Sequence, residues 1–219
     1  MSSSSSSSVA IQPLSHGQKL FLQKLVAAHG WSDEEALQVY NQIKDNDGGG
    51  RQQQQSMDQC LATINASLKL AFGLEIRTIS LYDPEQQKAI RHHAVVNADP
   101  KASFLPYKQA HELAFIRLLL EKIIAGMNDK SPLSRMDAVN LRTELTGDHA
   151  NKLSIDLAEQ VLDQLESEKW LTSEDDKTNQ RRNKSHILIG PRTYMELTDL
   201  LTELGLERES MPQFIIHKA

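Results

Sequence analysis

The order of periodicities along this chain constrains its fold more than any single motif does: three helical patterns followed by strand, turn and strand, and that order runs twice. In the first run a helix over residues 15–29 places Leu22, Leu25 and Val26 on one face and stops at Gly30. Ser32 caps a second helix, whose first turn holds Asp33, Glu34 and Glu35 where the helix dipole favours acids. Its apolar positions are Ala36, Val39, Tyr40 and Ile43. A third helix begins near Ser56, and its Met57, Leu61, Ile64, Leu68 and Phe72 recur every three or four residues, the spacing of one buried face. After Gly73 the period falls to two, with Leu74, Ile76, Thr78 and Ser80 alternating against Glu75, Arg77 and Ile79. Tyr82-Asp83-Pro84-Glu85 supplies turn chemistry, and residues 90–96 return as a strand.

The second run follows a linker punctuated by Asp99-Pro100 and Leu105-Pro106. Its first helix carries Leu113, Ile116, Leu120 and Ile123 on one face, widened by Phe115, Leu119 and Ile124. Ser131-Pro132, a cap with proline at the first helical position, opens a helix holding Leu133, Met136, Val139 and Leu141. Residues 154–169 form the next, with Ile155, Ala158, Val161, Leu162 and Leu165 inward. Trp170-Leu171 starts a strand, residues 174–184 are a polar turn, and residues 185–189 return. Gly190-Pro191 leads into a last helix with Tyr194, Leu197, Leu200, Leu201 and Leu204. Three helices and a hairpin is the order of a winged helix. The expected class is therefore mainly α with small β-hairpins (α+β), built as tandem winged-helix domains. The divisions are a Ser-rich disordered tail over 1–14, winged helices over 15–100 and 101–206, and a C-terminal extension over 207–219.

A length of 219 residues accommodates two such units. Hydrophobic residues at 39% and charged residues at 24% give each half a modest core. The net charge of -5 argues against a protein that coats duplex nucleic acid with its whole surface. Cys60 is the single cysteine, so the chain holds no intramolecular disulfide and no zinc site of several cysteines, a usage that fits an intracellular protein. Its longest apolar runs, such as Leu118-Leu119-Leu120, are far short of a membrane span, and the serine run Ser2 to Ser8 has no secretory pattern. The Gly48-Gly49-Gly50 and Gln52 to Gln55 stretch reads as an expanded loop.

Catalytic chemistry finds no foothold in the sequence, and no catalytic, cofactor-binding or metal-ligating residue is assigned. His92 and His93 are adjacent in a strand, so their side chains point to opposite faces and cannot chelate one ion; the plainer reading is a wing with one exposed imidazole. His111 and Glu112 likewise face apart on a helix, while Asp148-His149 and Asp175-Asp176 fall in predicted loops as solvated charge. No glycine-rich phosphate loop occurs, and Cys60 adjoins a buried stripe where a packed thiol is expected.

The second wing gathers Lys177, Arg181, Arg182 and Lys184 with His186, a local footing for phosphates and the candidate nucleic-acid contact. Glu174, Asp175 and Asp176 beside it cancel much of that field. The third helix is a poor groove reader, with Lys69 its only base between Ser56 and Phe72. Residues 111–126 carry more apolar positions than one packing face needs, so a further covered surface is expected, either the other half of the chain or another subunit.

Short islands across the chain resemble a known family. Gln18-Lys19-Leu20-Phe21-Leu22-Gln23-Lys24-Leu25 through His29-Gly30 is similar to the opening helix of the non-SMC element one subunit of the SMC five-six genome-maintenance complex. Ile64-Asn65-Ala66-Ser67-Leu68 with Leu74-Glu75-Ile76 resembles its third helix and first wing strand. Ala158-Glu159-Gln160-Val161-Leu162, Lys169-Trp170-Leu171 and Gly190-Pro191-Arg192-Thr193 resemble its second domain. The resemblance implies a tandem winged-helix interaction subunit that binds a MAGE-type winged-helix subunit and a kleisin, with a nuclear role in DNA repair and recombination. It also implies a C-terminal zinc-binding RING-like domain with E3 ubiquitin ligase activity. This chain reaches Ile215-Ile216-His217-Lys218-Ala219 without a cysteine cluster, so zinc is expected only in a domain that it lacks. The alternative from another class is a winged-helix DNA-binding transcription regulator.

Overall fold

The computed structural model describes residues 13–46, 55–83, 86–98, 109–175 and 185–217. The serine tail, the glycine–glutamine loop up to residue 54, Pro84-Glu85, the two proline-marked linker sites and the tip of the second wing lie outside these residues.

In the first unit, α1 (His16–Ala27), α2 (Asp33–Asn46) and α3 (Met57–Phe72) precede β2 (Leu74–Asp83) and β3 (Lys88–Asn97). Local chemistry sets each start. Ser15 and Ser56 accept from the backbone N–H groups of Gln18 and Gln59, whose amides reach back to the cap backbones. Ser32 and Glu35 exchange the same pair of bonds at α2, at 3.3 and 2.7 Å. Gly73 ends α3 in the left-handed region, where the chain turns directly into β2. Phe21, Leu25, Ala36, Ile43, Leu61, Ile64 and Leu68 form the core, with Phe21 edge-on to Trp31 and Tyr40.

The second unit repeats this order with α4 (Ala110–Asp129), α5 (Arg135–Asn140), α6 (Ile155–Ser167), β4 (Leu171–Asp175) and β5 (Ser185–Ile189). The repeat extends to a detail that periodicity does not show. In the first unit a two-residue strand, β1 (Trp31–Ser32), pairs with His93 and His92 just before α2. In the second, Ser134 bridges to His186 just before α5, and the Ile187 N–H donates to Leu133 O at 2.9 Å. Each winged helix thus hydrogen-bonds the entry of its second helix to the far strand of its hairpin.

Three departures from the sequence reading follow from such contacts. Ser134, not Ser131, caps the fifth helix, because Leu133 and Ser134 lie extended along β5. The last helix breaks at Leu197 into α7 (Pro191–Glu196) and α8 (Thr198–Glu203), and this bend lets both Met195 and Leu201 face the core. Gln213–Ile215 form β6, which pairs antiparallel with Thr78, Ile79 and Ser80 and completes a sheet of order β1-β3-β2-β6. The C-terminal segment therefore returns to the first unit.

The two units share apolar surface. The larger cluster contains Phe115, Leu119, Leu120 and Ile124 of α4, Val161, Leu162 and Leu165 of α6, Trp170, Met195 and Leu201, and also Ile79, Ala94 and Val96 from the first sheet. α7 packs on β2 and β3 of the first unit and also touches β4 of its own. Six α4 residues are buried, and all belong to this cluster, so burial within the chain covers most of the apolar surplus of that helix; Leu113, expected on its main inward face, is 39% exposed.

Gly190 sits where the second hairpin meets α7. A Cβ there would lie 2.5 Å from Lys169 O and 2.7 Å from the Trp170 carbonyl carbon, both backbone atoms. Gly190→Ala is therefore expected to cost about 1–3 kcal/mol through forced backbone displacement, measured by denaturant unfolding followed at Trp170.

Candidate functional site

Where the units meet, a cleft of about 260 Å³ opens. His29, Trp31, Ser32, Glu35 and His92 line it from the first unit, and Glu166, Lys169, Thr172 and Arg192 from the second. Arg192 organises the second wall. Its guanidinium lies 4.2 Å from the Trp170 ring centroid, its Nε donates to Glu196 at 2.5 Å, and an Nη lies 3.3 Å from His29 Nδ1 across the cleft. Burial holds the Glu196 carboxyl above its usual range, against the pull of Arg192 and Arg77. Arg77 donates to the Met195 carbonyl and ties β2 to α7. In the second unit one Arg135 nitrogen, Nη1, donates to both Glu166 oxygens at 2.9 Å while Nη2 pairs with Asp163, joining α5 to α6.

The adjacent histidines do face apart, but neither is an exposed imidazole. His92 is half-buried in the cleft wall, and burial pushes its pKa down while Glu35 pulls it up. His93 is fully buried. Its Nε2 lies 3.0 Å from Asp33 Oδ1 and its Nδ1 2.8 Å from Thr78 Oγ1. The same hydroxyl lies 2.7 Å from His217 Nε2, and His217 Nδ1 lies 3.4 Å from Asp58 Oδ1. Arg91 closes the circuit, at 2.8 Å from Asp33 and 3.2 Å from Asp58. Arg91 in turn holds the Asp33 carboxyl below its usual range, against the opposing effect of burial.

Thr78, His93 and Asp33 have the spacing of a nucleophile, base and orienting acid. They cannot act as one. Thr78 is 1% exposed and His217 occupies the other side of its hydroxyl, so no substrate carbonyl can reach the oxygen. The ring joins residues far apart in sequence, and the one local sign of it was a histidine pair within a strand opposite an acidic first turn.

The other polar residues singled out by sequence have ordinary placements. Glu112 accepts from the Gln109 N–H at the start of α4, Lys69 lies 3.9 Å from Glu75, and Asp148 and His149 form part of a short 3-10 turn. Lys177, Arg181, Arg182 and Lys184 lie outside the described residues. Among the described residues, no three His, Cys, Asp or Glu side chains are grouped to hold a metal ion, and none of these residues fits a zinc site of the RING type. No described helix is long and apolar enough to cross a membrane. Cys60 is 3% exposed, and burial pushes its thiol up to about 11. Thiol-reagent labelling of Cys60 is therefore expected to be slow in the folded chain and fast in denaturant; rapid labelling under native conditions would contradict this packing.

A chain of a solved "Nse1-Nse3-Nse4 complex" superposes with a TM-score of 0.62 at 20% identity, covering 85% of this chain and 73% of that one. That likeness speaks for the fold. No curated protein matches. The family described as "Nse1 non-SMC component of SMC5-6 complex" matches residues 18–197, a span that runs from α1 through α7 of the second winged helix. The chain belongs to the Nse1 family of non-SMC components of the SMC5-6 complex.

Proposed function

We propose that this chain is an interaction subunit of the SMC5-6 genome-maintenance complex, whose paired winged helices dock a MAGE-type winged-helix subunit and, with it, a kleisin. The family match over both winged helices carries this reading, and the Nse1-Nse3-Nse4 assembly of the structural relative is consistent with it. The surface supports protein docking over duplex reading. Phe72 at the end of α3 is 74% exposed, Met136 on α5 is 75% exposed, and α3 offers Lys69 as its only base, beside Glu75. The role that follows is nuclear, in DNA repair and recombination. Ubiquitin ligase activity belongs in this reading to a zinc-bearing RING-like domain, not to any residue described above.

The test is direct mixing. The chain and a MAGE-type subunit should elute together from gel filtration at micromolar concentration, and addition of the kleisin should give a ternary species. Separate elution at that concentration overturns the reading.

A further inference from the structure

The ring of Asp33, Asp58, Thr78, Arg91, His93 and His217 does more than fill space, because the number of protons it can seat is limited. Three of its contacts are hydrogen bonds at an imidazole nitrogen: Asp33 with His93, His93 with Thr78, and Thr78 with His217. Two neutral imidazoles and one hydroxyl supply the three hydrogens these need: His93 Nε2 donates to Asp33, the Thr78 hydroxyl to His93 Nδ1, and His217 Nε2 to the Thr78 oxygen. One added proton has a place on His217 Nδ1, 3.4 Å from Asp58 Oδ1. A second, on His93 Nδ1, has no such place. It directs two ring N–H groups at the Thr78 oxygen, leaves the Thr78 hydroxyl hydrogen without its acceptor, and puts two cations, with ring centroids 5.9 Å apart, beside Arg91.

The C-terminal strand ends at this ring. β6 is three residues long; Phe214 is 43% exposed and Ile216 is 82% exposed. The Arg77 guanidinium lies 5.9 Å from the Phe214 ring centroid. The His217 side chain, by contrast, is 3% exposed, so its imidazole anchors the segment in the first unit.

We infer that these six side chains form a pH-sensitive clasp, which holds β6 on the first unit while the two imidazoles share at most one added proton and releases it when both are charged. The groups facing the imidazoles are Asp33 from α2, Asp58 from α3, and Arg91 from β3, together with the other imidazole. Burial, the largest influence, holds both His93 and His217 below the ordinary histidine value of 6.5; Arg91 adds to this, and Asp33 and Asp58 oppose it. A histidine with a lowered pKa in the docked state contributes attachment that is complete above its ordinary value and is lost as pH falls below it.

The test is amide hydrogen exchange on the intact chain between pH 7.5 and 5.0, corrected for intrinsic exchange rates. If release takes up one more proton than the clasp holds, opening of residues 213–216 grows by up to about tenfold per pH unit below 6.5. Over the same range α6 keeps its protection. His217→Gln retains a donor and an acceptor but does not titrate, so it should flatten the pH response while β6 stays paired at neutral pH. Three results would each overturn the clasp: protection of 213–216 that is independent of pH, an unchanged pH response in H217Q, or loss of protection in α6 in step with β6.

Discussion

Phe115→Ala is expected to lower the stability of the whole chain by about 3–5 kcal/mol, and to do so in both winged helices at once. Phe115 is fully buried in the cluster that contains the second unit's core and Ile79, Ala94 and Val96 of the first sheet. Truncating it leaves a cavity that the surrounding α4 and α6 side chains cannot fill without moving. Trp31 and Trp170 report on opposite units, so variants retaining one tryptophan each separate the two signals. Both should unfold in a single transition, and the Phe115→Ala change should move both midpoints together. Each kcal/mol is worth about 2–4 °C in Tm for a chain of this size. Two transitions, with only the Trp170 signal shifted, would mean that the units do not share a core.

Arg192→Met comes next in size. The side chains of Arg192 and Glu196 are 17% and 7% exposed, so removing the guanidinium strands a buried carboxylate and opens the cleft wall against Trp170. Breaking a buried pair in this way costs about 3–5 kcal/mol. The sign of its pH dependence is fixed by Glu196. Burial raises that carboxyl above its ordinary value of 4.5, so its ionisation costs the folded state increasingly as pH rises through the raised value. Without Arg192 that cost is larger. The deficit of the variant relative to the parent chain should therefore be greatest at neutral pH and narrow as pH falls toward 4.5. A deficit that is constant from pH 7 to 5 would show that Arg192 acts through packing on Trp170 alone.

The architecture was readable from periodicity because each unit buries one face per element. Met57, Leu61, Ile64 and Leu68 mark the inner face of α3 and are buried, but Phe72, the fifth position of that pattern, is 74% exposed at the helix end, and Met136 and Ile155, which periodicity also placed inward, are 75% and 50% exposed. The order of helices and hairpins that these patterns give is the order observed. What periodicity could not supply were contacts between residues far apart in sequence. The choice between Ser131 and Ser134 as a cap depends on the position of β5, which runs some 50 residues later. Gln213–Ile215 is too short to carry a strand pattern, and it becomes a strand only because the edge of β2 is free to pair with it. The buried ring is another such case. Alternation correctly sends His92 and His93 to opposite faces, but only the fold brings Asp33, Asp58, Thr78 and His217 to meet one of them. The excess of apolar residues on α4 was visible at once, whereas its covering by the rest of the chain required the packed structure.

Protein docking and duplex binding make opposite demands on salt, and this separates the two uses of a winged helix. Counterion release weakens a duplex contact of 6–10 phosphates by about 10³–10⁵ between 50 and 200 mM salt, whereas an apolar docking face changes little. The decisive measurement is calorimetric titration of this chain with the MAGE-type subunit, and separately with duplex DNA, at both salt concentrations. The account predicts a 1:1 protein complex of micromolar affinity or tighter that persists at 200 mM, with duplex binding weak or lost there. Absence of heat and of complex with the protein subunit, alongside steeply salt-dependent duplex binding, would contradict it.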